Sequence, residues 1–213
     1  MNTHFNYWSG YYSAARSNKT NHFIPSQFAA FCALEAKEIG VGKLIDIASG
    51  DGRDSVFFAQ LGFEVLSLEQ SSEAVEIIKS RSQDLHNLKA VQIDVTSEEL
   101  PQLNPLNEVS AYYARFFLHT LTEPQVRKFF KNLSNAMHSS QYFFTEYRNE
   151  KDASLTKYTP HHDRFFYESK FIEKIAKAHK LSCVYEAAGR GFAKWKTDDA
   201  VVVRQIFIKS EIK

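Results

Sequence analysis

Three carboxylates and a glycine-rich turn are the residues of this chain with the clearest chemical meaning. Asp46 lies in an apolar run, Lys43 to Ala48, that leads into Ser49-Gly50-Asp51-Gly52-Arg53-Asp54. Gly50 and Gly52 permit a tight turn and a close approach of backbone to ligand. Glu69 and Asp94 follow near the ends of two further apolar runs. An acid about 20 residues beyond such a turn is the expected acceptor for ribose hydroxyls, so the set reads as a nucleoside-cofactor pocket. Taken singly, each acid is equally a solvated strand end or a helix cap; together they describe one site. Asp54 differs, because in a first helical turn it suits the positive end of the helix dipole.

Such acids converge only if parallel strands carry them. Ser26 to Ile39 has Phe28, Phe31, Cys32, Leu34 and Ile39 at mostly helical spacing, with Ser26 as N-cap. Lys43–Ala48, Phe63–Glu69 and Leu88–Val95 then read as strands, separated by helices over Arg53–Leu61 and Glu73–Ser80. Asn107–Ala114 is a fourth strand, and Thr122-Glu123-Pro124-Gln125 has capping-box spacing with proline in the first turn of a helix running to about Met137. Gln141–Tyr147, a helix over Glu168–Lys180, and strands over Leu181–Ala187 and Ala200–Ile208 complete the chain. Alternation of this kind requires a mostly parallel sheet covered on both faces. No helical pattern separates the last two strands, so they are predicted to pair as a hairpin, with the final strand antiparallel.

A nicotinamide or flavin dinucleotide also uses a glycine turn and a second-strand acid. Ser55 stands where the third glycine of that motif belongs, and Asp51 and Asp54 put negative charge where a pyrophosphate would bind. A cationic sulfonium tolerates those acids.

Asp46-Ile47-Ala48-Ser49-Gly50-Asp51-Gly52 resembles motif I of class I S-adenosylmethionine-dependent methyltransferases, with Ala48 in place of the first glycine. The departure bears on the backbone angle at Ala48 more than on the site. The resemblance, over roughly residues 25 to 208, implies a seven-stranded, mostly parallel Rossmann-like α/β sheet of order 3-2-1-4-5-7-6, strand seven antiparallel, with helices on both faces. It implies S-adenosyl-L-methionine as cofactor and no metal, with Glu69 on the ribose and Asp94 at the adenine amino group. Asp46, Ala48, Gly50, Gly52, Arg53, Gln70, Val95 and Arg115 make up the rest of the expected cofactor set.

Beyond the cofactor the pattern is looser. After strand four, where many amino-methylating relatives carry Asn/Asp-Pro-Pro-Tyr, this chain has Tyr113-Ala114-Arg115-Phe116-Phe117-Leu118-His119. DNA adenine methylation is therefore disfavoured; Arg115 and His119 suit orientation of an acceptor or contact with the methionine carboxylate, or else are a surface arginine and a helix-start histidine. The long polar segment 148–166 is predicted to be a substrate loop over the pocket, with Arg148, His161, His162 and Arg164 available to an anionic group. His119, His161 and His162 are also the candidate general bases for attack by a hydroxyl, and a phosphate or carboxylate oxygen would need none. Adjacent histidines in an extended loop point apart, which argues against a metal there.

The leading segment, 1–25, is rich in aromatics (Tyr7, Trp8, Tyr11, Tyr12) and reads either as a lid over the cofactor or as rings packed on the sheet's flank. The 213 residues, 44% hydrophobic and 24% charged, suit one domain spanning 1–213. Cys32 and Cys183 form no CxxC pair and are expected to be buried thiols. A net charge of +1 offers nothing to nucleic acid across the whole surface. No apolar run reaches the ~20 residues of a membrane span, and the cytoplasm is the expected location. The expected activity is methyl transfer, on oxygen, to a small anionic or saccharide acceptor. The other readings are a non-catalytic cofactor-binding module and an RNA methyltransferase. Oligomeric state is not legible.

Overall fold

The computed structural model describes residues 7, 9–13, 24–102, 109–158 and 163–210. Trp8, His161 and His162, and the predicted start of strand four at Asn107, lie outside the described residues.

Helix α1 (Gln27–Glu38) opens at Ser26, whose Oγ accepts the Ala29 N–H at 2.9 Å. Strand β1 (Val41–Ile47), helix α2 (Arg53–Gln60), strand β2 (Glu64–Glu69), helix α3 (Ser72–Arg81) and strand β3 (Leu88–Gln92) follow in the predicted alternation. After β4 (Val109–Arg115), helix α4 (Glu123–Ala136) begins with Pro124 in its first turn, and Gln125 Oε1 accepts the Thr122 N–H at 2.9 Å. Then come β5 (Tyr142–Arg148), α5 (Ser169–Ala178) and β6 (Leu181–Gly189), a short ribbon of β7 (Lys194–Trp195) with β8 (Asp198–Asp199), and β9 (Val202–Lys209).

The seven-stranded sheet has the order β3-β2-β1-β4-β5-β9-β6, with β9 antiparallel to both neighbours, so the predicted topology holds with β9 as the seventh strand of the sheet. The β6–β9 hairpin is interrupted by the ribbon, which periodicity did not reveal because its strands are only two residues long. Strand β3 stops at Gln92, short of the predicted Val95. Asp94 Oδ1 instead accepts the Thr96 N–H and Oγ1–H at 2.9 and 2.6 Å, turning the chain away from the sheet.

Alternate residues of each central strand feed opposite cores. Leu44, Ala111, Tyr113 and Phe144 pack under α1 and α2 with Phe28, Cys32 and Phe58. Ile45, Ile47, Tyr112, Ala114 and Phe143 face α4 and α5, where Val126, Phe129, Phe130 and Leu133 recur at helical spacing. Cys32 is buried as expected; Cys183 is only half-buried, because it sits on the edge strand β6. Among the described residues no helix is long and apolar enough to cross a membrane. Parallel pairing of β1 to β5 brings the carboxyl ends of these strands to one edge of the sheet, and the site lies there.

Candidate active site

Three left-handed residues shape the turn after β1: Ala48 at φ 54°, Gly50 at φ 61° and Gly52 at φ 72°. Ala48 keeps the angle of a glycine and carries the Cβ strain, about 1–2 kcal/mol in this region. Ala48→Gly is therefore expected to stabilise the protein by up to about 1 kcal/mol after the extra chain entropy of glycine is subtracted. A thermal melt checks this, and a lowered midpoint would show that the Ala48 methyl packs better than its backbone suffers.

The two glycines do different work. A Cβ on Gly50 would lie 2.6 Å from the Tyr12 hydroxyl, so Gly50 admits a close neighbour at the cavity wall. A Cβ on Gly52 would lie 2.5 Å from Ile78 Cγ1, and Gly52 is not among the residues lining the cavity. Gly52 thus lets the turn pack closely on α3.

Glu69 ends β2 and braces both turns beside it, accepting the Gly50 N–H through Oε2 at 2.8 Å and the Ser71 N–H through Oε1 at 2.9 Å. A carboxylate offers about four acceptor positions, so about two remain for a ligand. Burial raises the Glu69 pKa against these hydrogen bonds. Burial likewise pushes Asp46 well above the usual carboxylate range; the Ser55 hydroxyl opposes the shift, donating to Oδ2 at 2.6 Å, while the Asp54 and Glu69 charges add to it. A cation entering here relieves that electrostatic cost.

Asp54 proves to be an anchor, beyond any dipole effect. Its Oδ1 accepts the Ser26 N–H at 2.8 Å, and its Oδ2 accepts the Ser26 and Tyr113 hydroxyls at 2.7 and 2.8 Å, tying the start of α1 to the pocket edge. Burial works to raise its pKa, but Arg115, Arg53 and the Ser26 bonds hold it below the ordinary value.

At the other end of the cavity the chain is tied down by Arg148. This buried side chain, with Phe116 and His119, forms a cluster. Its Nη1 donates to Asp152 Oδ2 at 2.7 Å and Nη2 to Asp198 Oδ2 at 2.5 Å, so segments on either side of α5 are joined. The Arg148 N–H donates to His119 Nδ1 at 3.3 Å, leaving the proton of a neutral His119 on Nε2. Phe116, missed in the sequence, has φ 55°, donates its N–H to Glu146 O at 2.7 Å, and has the Arg115 and Arg148 guanidinium carbons 4.2 and 5.3 Å from its ring. Backbone strain of this kind, about 1–3 kcal/mol, collects at functional sites. Lys196, from the ribbon, donates to the Tyr158 hydroxyl at 2.7 Å, and Trp195 has Arg53 5.6 Å from its ring.

One cavity of about 1320 Å³ runs past all of this. Asp46, Ala48, Gly50, Arg53, Glu69, Gln70, Asp94, Val95, Arg115, His119, Arg148 and Arg164 all line it, together with Tyr11, Tyr12, Phe116, Tyr158 and the ribbon. That exceeds the roughly 300–1,000 Å³ of a pocket for one small ligand, leaving room for a second.

Residues 44–140 match the model of a family described as a methyltransferase domain. No curated protein matches. The methyltransferase fold recurs in solved structures of low identity. An S-adenosylmethionine-dependent methyltransferase from Clostridium acetobutylicum has 11% identity and a TM-score of 0.68, over 97% of this chain and 99% of that one. A TehB-like methyltransferase from Corynebacterium glutamicum has 12% identity and a TM-score of 0.66, over 97% and 98%. The glycopeptide N-methyltransferase MtfA complexed with S-adenosylmethionine has 14% identity and a TM-score of 0.66, over 88% of each chain. The acidic end of the cavity suits a cationic ligand, since Asp46, Asp51, Glu69 and Asp94 line it.

Proposed function

We propose that this chain is an S-adenosylmethionine-dependent methyltransferase that methylates an oxygen of a small, anionic acceptor, a charged saccharide included. The observation that carries the reading is the opposite charge of the two ends of the cavity. At the ends of the parallel strands the lining carboxylates Asp46, Asp51, Asp54, Glu69, Glu76 and Asp94 outnumber Arg53, Arg81 and Arg115, whereas between 148 and 198 Arg148, Arg164, Lys194 and Lys196 outnumber Asp163 and Asp198. Complementary fields of this sort orient a cationic and an anionic ligand toward each other.

The cofactor supplies an electrophilic methyl on a sulfonium. Asp46 and Glu69 favour that positive charge, and Glu69, Gln70, Asp94 and Val95 hold the nucleoside side, with Ala48, Gly50, Arg53 and Arg115 at the methionine side. Tyr11 and Tyr12 line the cavity, so residues 9–13 serve as part of its cover, and the Ser9 hydroxyl fastens them to α3 through Glu73 Oε2 at 2.7 Å. Because its Nδ1 accepts the Arg148 N–H, His119 acts toward the acceptor as an Nε2–H donor rather than as a base. An acceptor already ionised, a carboxylate or phosphate, needs only orientation.

Methyl-labelled cofactor offered with panels of small carboxylates, phosphates, acidic sugars and amines tests this. Label released as methanol by mild alkali from a carboxylate product, or carried on a phosphate or sugar oxygen, supports the proposal. Label fixed stably on an amine overturns it in favour of the activity named for MtfA. Cofactor binding without transfer to any acceptor favours a non-catalytic module.

Glu69→Gln is expected to weaken S-adenosylhomocysteine binding about tenfold to a hundredfold, since an ionised acceptor contributes roughly 1.5–3 kcal/mol. Calorimetry reads this directly, and an unchanged affinity removes Glu69 from the cofactor site.

A further inference from the structure

Glu146 has no part in the cavity lining, yet it sits at the centre of a ladder of charge across three strands. Register sets Arg115 of β4 opposite Glu146 of β5, and Glu146 opposite Arg204 of β9, so the three side chains share one face. Arg115 Nε donates to Glu146 Oε1 at 2.9 Å, and Arg204 Nε donates to Glu146 Oε2 at 2.8 Å. Arg204 is itself fixed, with Nη2 donating to Phe192 O at 2.8 Å and its guanidinium carbon 5.4 Å from the Phe28 ring. The fully buried carboxylate therefore cannot swing away from Arg115.

Arg115 borders the cavity with Nε committed and the Phe116 ring against its guanidinium. Among the described residues, neither Nη of Arg115 makes a hydrogen bond, so the two-nitrogen edge that recognises carboxylates remains for a ligand. Its place along the sheet says which ligand group. With the nucleoside at the ends of β3 and β2, a cofactor crossing strands about 4.8 Å apart lays its amino-acid end over β1 and β4. Ile47 pairs with Ala114, so Arg115 stands one strand across from Ala48 and the glycine turn.

We propose that Glu146 is a positioning residue: by holding Arg115 through Nε, it turns the remaining guanidinium edge to the α-carboxylate of the cofactor's methionine moiety. This rests on the cofactor reading above.

Calorimetry with two probes tests it: S-adenosylhomocysteine, which has the carboxylate, and 5′-methylthioadenosine, which lacks the amino-acid group. Arg115→Met is expected to weaken S-adenosylhomocysteine roughly tenfold or more while 5′-methylthioadenosine stays within about twofold. Glu146→Asp, which draws the carboxylate back by one methylene, is expected to show the same preference to a lesser degree, and none of it when Arg115 is already Met. Glu146→Gln provides a second variant should Glu146→Asp not fold. Equal weakening of both probes marks Glu146 as merely structural and overturns the proposal, as does unchanged S-adenosylhomocysteine affinity or an undiminished effect in the Arg115→Met background. A wild-type protein that binds neither probe defeats the cofactor reading itself.

Discussion

Arg148→Met should lower stability by about 3–5 kcal/mol, the usual cost of removing one member of a buried ion pair and leaving its partner charged. Arg148 is 5% exposed, Asp152 is fully buried and Asp198 is 6% exposed, so water cannot take over the lost partner cheaply. Lys157, 3.0 Å from Asp152 Oδ2, softens the loss at one carboxylate only. Asp152 also accepts the Val201 N–H at 2.9 Å, so the loop after β5 and the approach to β9 should loosen together. For a chain of this size 1 kcal/mol corresponds to about 2–4 °C, which puts the expected drop in melting temperature at about 6–20 °C. Faster tryptic cleavage at Lys194 and Lys196 should accompany it. A melt within a degree or two of wild type would restore Arg148 to the role expected from the sequence, a direct ligand of an anionic acceptor.

A second large loss is expected for Gly52→Ala. The left-handed angle costs an alanine about 1–2 kcal/mol, and a Cβ 2.5 Å from Ile78 Cγ1 adds an overpacking cost of about 1–3 kcal/mol. The obstructing atom belongs to a buried residue of α3, with little freedom to withdraw. Denaturant unfolding measures the total, and Ile78→Ala in the same chain separates its parts. The double variant should lose less than the two single losses summed, because the clash disappears while the backbone term stays. Strict additivity would mean that Gly52 is needed for its angle alone. Gly50→Ala makes a useful contrast, since its Cβ would meet the end of the Tyr12 side chain, which can move aside. Stability should fall there by the backbone cost alone, about 1–2 kcal/mol, and cofactor affinity should fall with it.

Glycine chemistry at Gly50 and Gly52 was legible because φ > 0 is a local requirement that few other residues meet. The division of labour between them was not, since it depends on what lies beyond each missing Cβ: Tyr12 in one case, Ile78 in the other. Ala48 and Phe116 show the converse, since both hold left-handed angles that their residue types argue against. The tertiary structure imposes those angles at the ends of β1 and β4; the glycine that motif I places at Ala48 hinted at the first, and no local pattern announces the second.

The acids divide in the same way. Asp46, Glu69 and Asp94 stood out from their places near the ends of apolar runs, and parallel pairing then brings such strand ends to one edge. Glu69 was read as a ribose ligand, yet its brace on Gly50 and Ser71 appears only when two turns meet. Asp54 was assigned to a helix dipole because its partner, Ser26, lies on another helix.

By itself the sequence determined the strand and helix order, the antiparallel last strand, the glycine turn and the row of acids near the strand ends. These follow from short-range sterics and from periodicities of about 2 and 3.6 residues, which each segment carries within itself. The tertiary structure alone decided how charges were matched. It gave Arg148 to Asp152 and Asp198, and set Glu146 between Arg115 and Arg204. Apart from Arg148 and Asp152, four residues apart, such pairs form between residues that the chain separates and the fold brings together, and their burial is a property of the whole fold.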